Sequence, residues 1–131
     1  MAADSALWGD GTLHFKTKKI HRLVDGSLIG MYGSWPACLK LLQFLNSDEE
    51  ADLPRFREAG AILVRSKTRI CIYESGVIMP IHSTPYIAGG TGSTIALGAM
   101  HAGASAIEAI QAAIAHDSHT RGPVRSLKLE E

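Results

Sequence analysis

Three short stretches of the chain bring together residue types that do chemistry. Gly89-Gly90-Thr91-Gly92-Ser93-Thr94 stands ahead of an Ala-rich helical run, and backbone N–H groups at a helix N-terminus can hold a phosphate. It contains no lysine of the kind a phosphate-binding loop needs, and Ile95 takes the place of the third glycine of a dinucleotide fingerprint. A Gly-rich turn that permits close packing is the simpler reading. His116 and His119 flank Asp117 and could share a metal, yet no third strong ligand stands nearby. Histidines at a helix end, where the dipole favours them, account for the same residues. Ser, His and Asp residues are scattered along the chain without a G-x-S-x-G elbow. Lys18 and Lys19 fall on one strand, so one should point to solvent and the other inward, where an aspartate could neutralise it.

Composition narrows the classes. A chain of 131 residues, 46% hydrophobic and 20% charged, reads as a single domain over 1–131 with one sizeable core. Thirteen basic residues balance thirteen acidic ones, which leaves no electrostatic footprint for nucleic acid or an anionic membrane. Apolar runs fall well short of the roughly 18 residues that span a bilayer, and the start lacks a signal-peptide plan, so a cytoplasmic protein is expected. Cys38 and Cys71 form no C-x-x-C pair and read as buried free thiols.

The elements that must position these residues follow from periodicity. Leu13 to Leu23 alternates as one or two short strands, and Asp25-Gly26 marks a turn into a second apolar run, a hairpin signal. Ser34 as N-cap, Pro36 in the first turn and Leu39, Leu42 and Leu45 spaced by three predict a helix with an apolar face. The acidic stretch from Asn46 to Gly60 reads as a solvated connector that could carry one helical turn. AILVRS, TRICIYES and VIMPIHS predict a three-stranded meander with a tight turn at Glu74-Ser75-Gly76. Two helices follow, broken near Gly103, the second opening on a Ser105/Glu108 capping box. A turn at Gly122-Pro123 leads to a final strand. Strands and helices come in blocks, which points to an α+β class with antiparallel sheets faced by helices.

AADS (Ala2 to Ser5), KKIHRL (Lys18 to Leu23), LIGMYGS (Leu28 to Ser34), IAGGTGS (Ile87 to Ser93) and AHDSHTRGPV (Ala115 to Val124) occur in an order that resembles the proteasome β-subunit and its bacterial relative HslV. These are N-terminal-nucleophile hydrolases. The resemblance implies a four-layer αββα sandwich, two antiparallel sheets between helix pairs. It also implies a threonine-type peptidase with no cofactor, assembled as a homo-oligomeric ring, acting on peptide or protein substrates and fed by an ATP-dependent unfoldase. Such chemistry needs an N-terminal nucleophile whose own amine is the base, a cation beside that amine, and backbone donors for the oxyanion.

Carried over by position, the resemblance assigns the tuning ion pair to Asp4 and Lys19 and the oxyanion N–H to Gly33. It assigns the floor of an apolar P1 pocket to Met31, and hydrogen bonding to the N-terminal group to Thr91, Asp117 and Thr120. The family's first strand, led by threonine and ending at AADS, has no counterpart ahead of Met1, and Ala2 carries no hydroxyl. The 131 residues as written are therefore expected to be inactive. Three explanations stay open: a start upstream of Met1, an inactive homologue that keeps the scaffold and ring, and likeness of fold alone. An anion-binding module built on Gly90 to Thr94 is a further alternative.

Overall fold

The structure, a computed structural model, describes residues 1–9, 12–47, 52–82 and 84–130. In chain order it forms β1 (Ala2–Ala3), β2 (Ala6–Gly9), β3 (Thr12–Lys16), β4 (Ile20–Arg22), β5 (Leu28–Gly33), α1 (Trp35–Leu45), β6 (Ala59–Ser66), β7 (Arg69–Glu74), β8 (Val77–Ile81), α2 (Ser93–His101), α3 (Ala106–His116) and β9 (Arg125–Ser126). The α+β class expected from the block order is what forms.

Strands β4 to β8 make one antiparallel sheet in sequence order, because each is joined to its neighbour along the chain. Two of the joints are tight turns written in the residue types. Asp25 accepts the Ser27 N–H at 2.9 Å, and Ser75 and Gly76 both adopt left-handed φ values, 49° and 86°, as a type I′ hairpin requires. Pro80 sits in β8 at the edge of the sheet, where a missing donor discourages pairing with another chain.

Alternation along the strands gives the sheet two apolar faces. On the first, Ile29, Met31, Ala61, Leu63, Cys71 and Tyr73 form the core beneath α1, each no more than 4% exposed. Helix α1 meets them with Ala37, Cys38 and Leu41. This corrects the face expected from the leucine spacing: Leu42 and Leu45 are half-buried against the core, and Leu39 turns outward at 41% exposure. Small Ala37 and Cys38 let the helix approach the sheet closely, and that approach chooses the face. Ser34 caps α1 through its carbonyl, which accepts the Cys38 N–H at 3.0 Å, while its hydroxyl makes no cap bond.

The connector is less solvated than its charges suggest. Residues 48–51 lie outside the described residues, but Leu53 and Phe56 pack on the core. The buried Tyr73 hydroxyl donates to the Pro54 carbonyl and accepts the Phe56 N–H at 3.0 Å. No helical turn forms between 52 and 58. The free thiols of Cys38 and Cys71 are buried as expected, and burial pushes the Cys38 thiol up to about 11.

On the second face lie β1, β9 and the helix pair. Met1 and Leu127 exchange both backbone hydrogen bonds at 2.8 Å, and Ala2 and Ala3 pair with Ser126 and Arg125. Helix α3 packs on β1, and Met1 packs on Gly30, where an added Cβ would lie 3.1 Å from the Met1 sulfur. The capping box at Ser105/Glu108 closes in both directions, at 3.2 and 3.0 Å, and Gly103 breaks the helices apart with φ 103°. The β2–β3 ribbon adds a strand that the periodicity did not single out; the turn residues 10–11 lie outside the described residues. No helix among the described residues is long and apolar enough to cross a membrane.

Truncating Leu41, which has no exposure, should cost about 2–5 kcal/mol of stability. Truncating Leu39 should cost roughly 0.5 kcal/mol or less. Chemical denaturation of Leu41→Ala and Leu39→Ala checks the corrected face.

Candidate functional site

Asp4 follows β1, and its carboxylate gathers three donors from three parts of the chain. The Lys19 ammonium lies at 2.7 Å from one oxygen, while the N–H groups of Ala6 and Arg121 approach the other at 3.3 and 3.1 Å. Both side chains of the ion pair are largely covered, 13% exposed for Asp4 and 19% for Lys19. Lys19 is thus the inward member of the lysine pair, and Lys18 points to solvent. Next to Asp4, the fully buried Ser5 ties the same place shut. Its hydroxyl donates to Pro123 at 2.6 Å, its N–H to the Arg121 carbonyl at 2.9 Å, and its carbonyl accepts the Thr17 N–H at 2.8 Å.

A second cluster forms where α3 ends. Asp117, its C-cap, receives the hydroxyls of Thr120 at 2.5 Å and Thr91 at 2.9 Å and the N–H of His119 at 3.3 Å, all on one oxygen. Hydrogen bonding from Thr120 holds the Asp117 carboxyl below the usual carboxylate range; burial opposes it, and Thr91 and the His119 N–H add to the lowering. Gly92 makes the meeting possible, since an added Cβ would stand 2.9 Å from the Thr120 hydroxyl and 3.0 Å from the Ala113 methyl. Gly92 therefore serves close packing, while Gly90 supplies a left-handed φ of 94°. His119 pairs its Nδ1 with the Ser118 hydroxyl at 3.0 Å, and no group of three potential metal ligands comes together among the described residues.

Both clusters border one cavity of about 620 Å³ between the second face of the sheet and the helix pair. Asp4, Lys19, Gly33, Thr91 and Thr120 line it, and Asp117 lies behind the two threonines. Gly33 ends β5 with φ 99°, and an added Cβ there would lie 2.2 Å from the Glu58 carbonyl, so only glycine fits at this bend. Met31 borders the cavity but is 3% exposed and belongs to the core beneath α1. Most of the remaining wall is apolar, with Ile20, Ile62 and Val64 on the sheet and Met100 and Ile110 on the helices, and Ser93 and His119 add polar groups. The antiparallel alternation turns the Ala2 N–H and carbonyl away from β9, and that edge of β1 has no strand partner among the described residues. An extended, hydrogen-bonding segment is what such a space accepts.

Two residues of this site escaped sequence reasoning. Ser5 carried no signal beyond its place after the aspartate. Tyr32 could have been suspected only from its position between Met31 and Gly33, and its ring on the cavity side is seen in space alone.

Comparison with solved structures decides the architecture. BPH from Thiobacillus denitrificans, in complex with epoxomicin, superposes with a TM-score of 0.76 at 21% identity over 99% of this chain and 92% of that chain. Eukaryotic HslV from Trypanosoma brucei superposes with a TM-score of 0.71 at 18% identity, covering 95% and 88% of the two chains. The chain has the HslV fold. Its likeness to the HslV and proteasome group thus extends from five short stretches to nearly the whole backbone. No protein-family model matches the sequence, and no curated protein matches it.

On this HslV-like scaffold, the depressed Asp117 carboxyl has a consequence for stability. A carboxyl whose folded value lies below its unfolded value of about 3.9 stabilises the fold fully above that value and loses the contribution as pH falls through the folded one. Thr120→Val removes the strongest hydrogen bond, so the Asp117 carboxyl should titrate higher and the variant should lose less stability than the parent between about pH 5 and 2. Carboxyl NMR titration and denaturation across that range test both statements.

Proposed function

We propose that the chain is a subunit of a proteasome- or HslV-like threonine-type peptidase in which a threonine-led strand lies in the cavity beside β1. The observation that carries this reading is the convergence of Lys19, Gly33, Thr91 and Thr120 on one apolar-walled cavity bordered by an unpaired strand edge. Filling that space with a strand would complete a second full sheet and with it the four-layer αββα sandwich. The threonine hydroxyl then attacks a peptide carbonyl and its own amine takes the proton, directly or through water. Lys19, held by Asp4, supplies the cation that favours a neutral amine, and the Gly33 N–H stabilises the oxyanion. Asp117, with Thr91 and Thr120, orients the N-terminal group, and Met31 sets a preference for apolar P1 side chains from the wall of the cavity. No organic cofactor takes part. A chain beginning at Met1 or Ala2 offers an amine and no hydroxyl, so activity belongs to a form that carries the strand.

The same reading places the subunit in a homo-oligomeric ring in the cytoplasm, with folded substrates supplied by an ATP-dependent unfoldase. A second reading, a non-catalytic structural or assembly protein on the same fold, draws on one observation. Two of the three donors on Asp4 are backbone N–H groups, a use that needs no catalysis.

A protein carrying a threonine-led strand ahead of Ala2 should cleave peptides with apolar P1 residues. Lys19→Ala in that protein should lower kcat/KM by about 10²–10⁴-fold, the range of acid–base assistance. Fluorogenic peptide assays, with sedimentation to confirm a ring, separate the readings: a folded ring without activity favours the structural protein, and a purely monomeric protein counts against both.

A further inference from the structure

We infer that Tyr32 is a positioning residue whose ring, wedged between β6 and the loop before α2, holds Thr91 within reach of Asp117. Tyr32 stands one residue from Met31 on β5, so its ring leaves the sheet on the side opposite α1 and borders the cavity. Two backbones from different elements press against that ring. A Cβ added at Gly60 in β6 would lie 2.4 Å from it, and a Cβ added at Gly89 would lie 2.2 Å from it. At Gly90 the added Cβ would stand 3.6 Å from the Tyr32 Cβ. Both glycines are therefore contact surfaces for one aromatic ring, an arrangement that covers glycine backbone with apolar area.

The loop is fixed at its two ends, where the Tyr86 hydroxyl and His101 Nδ1 pair at 3.1 Å and Gly92 packs on Thr120, and the Tyr32 ring supports the glycines between them. Residues 84–92 include no strand or helix, and the Ser93 N–H bonds the Gly90 carbonyl at 3.2 Å. Thr91 lies two residues beyond Gly89, is exposed, and reaches Asp117 through its hydroxyl at 2.9 Å. Removing the ring leaves Gly89 without its support and frees Thr91 to leave the carboxylate. Burial, and then the Glu74 carboxylate, push the Tyr32 hydroxyl up, so the wedge stays neutral at physiological pH. Tyr32 also precedes Gly33, and one side chain thereby sets the spacing between the bend that offers Gly33 and the loop that offers Thr91.

The inference rests on Thr91, Asp117 and Thr120 belonging to the proposed site, but its readouts are structural, so a failed peptidase assay leaves it intact. In the 131-residue protein, Tyr32→Ala and Tyr32→Leu should raise the carboxyl titration of Asp117 toward the ordinary aspartate value. They should also speed exchange of the Ser93 amide by about tenfold or more, with the β6–β7 amides unchanged. Tyr32→Phe, which keeps the ring, should behave as the parent protein. Gly89→Ala should disturb Asp117 in the same direction, and combining it with Tyr32→Ala should give less than the sum of the two, because the ring it clashes with is gone. Should the Tyr32 variants unfold, Gly89→Ala in the parent background decides: a raised Asp117 titration supports the wedge and an unchanged one overturns it. In folded Tyr32→Ala and Tyr32→Leu, an Asp117 titration equal to that of the parent overturns it as well.

Discussion

The Asp4 carboxylate is the point on which the rest of the structure depends. One oxygen faces the Lys19 ammonium at 2.7 Å; the other serves the N–H groups of Ala6 and Arg121. Three segments far apart in sequence, the start of the chain, the approach to β4 and the turn after α3, therefore meet at one largely covered anion. A buried carboxylate is tolerable only when its lone pairs are used, and here each donor removes part of the desolvation cost. Removing Lys19 leaves the largely covered carboxylate with the Ala6 and Arg121 N–H groups alone, and removing Asp4 leaves the ammonium without its counter-charge. The same constraint fixes Lys19 at the cavity, where its charge becomes available to whatever occupies that space.

From this knot the layers follow. Ile20, one residue after Lys19, opens β4 and turns its side chain to the second face of the sheet, while Ser5, one residue after Asp4, ties the C-terminal turn to the start. Helix α3 is held over the cavity by its contact with β1 and by the Asp117 cluster at its end. Glycine appears where two backbones or a backbone and a ring must touch, at Gly30 under Met1 and Gly92 against Thr120. The cavity is what remains between these fixed points.

Much of this was legible beforehand, for definite physical reasons. Glu74-Ser75-Gly76, the Ser105/Glu108 box and Gly103 are local signals whose geometry is set within a few residues, and each appears where expected. The face of α1 was misjudged because leucine spacing reports hydrophobicity but not approach distance, and Ala37 and Cys38 win by being small. The connector was read from its charges, whereas Leu53, Phe56 and the Tyr73 hydroxyl are bound by contacts distant in sequence. The lysine pair alone raised the question of an aspartate partner, the resemblance paired Lys19 with Asp4, and the fold brings the two together across fifteen positions. Asp117 with Thr91 and Thr120 could be named from resemblance, but the shared carboxylate oxygen is a fact of three-dimensional placement. Nothing in the sequence places the Tyr32 ring between Gly60 and Gly89.

The most direct test of the central claim, that the cavity beside Lys19 receives a threonine-led strand, is the intact mass and N-terminal sequence of the protein purified from its natural source. The account predicts a chain longer than the 131 residues and beginning with threonine. A chain that begins at Met1 or Ala2 would contradict it.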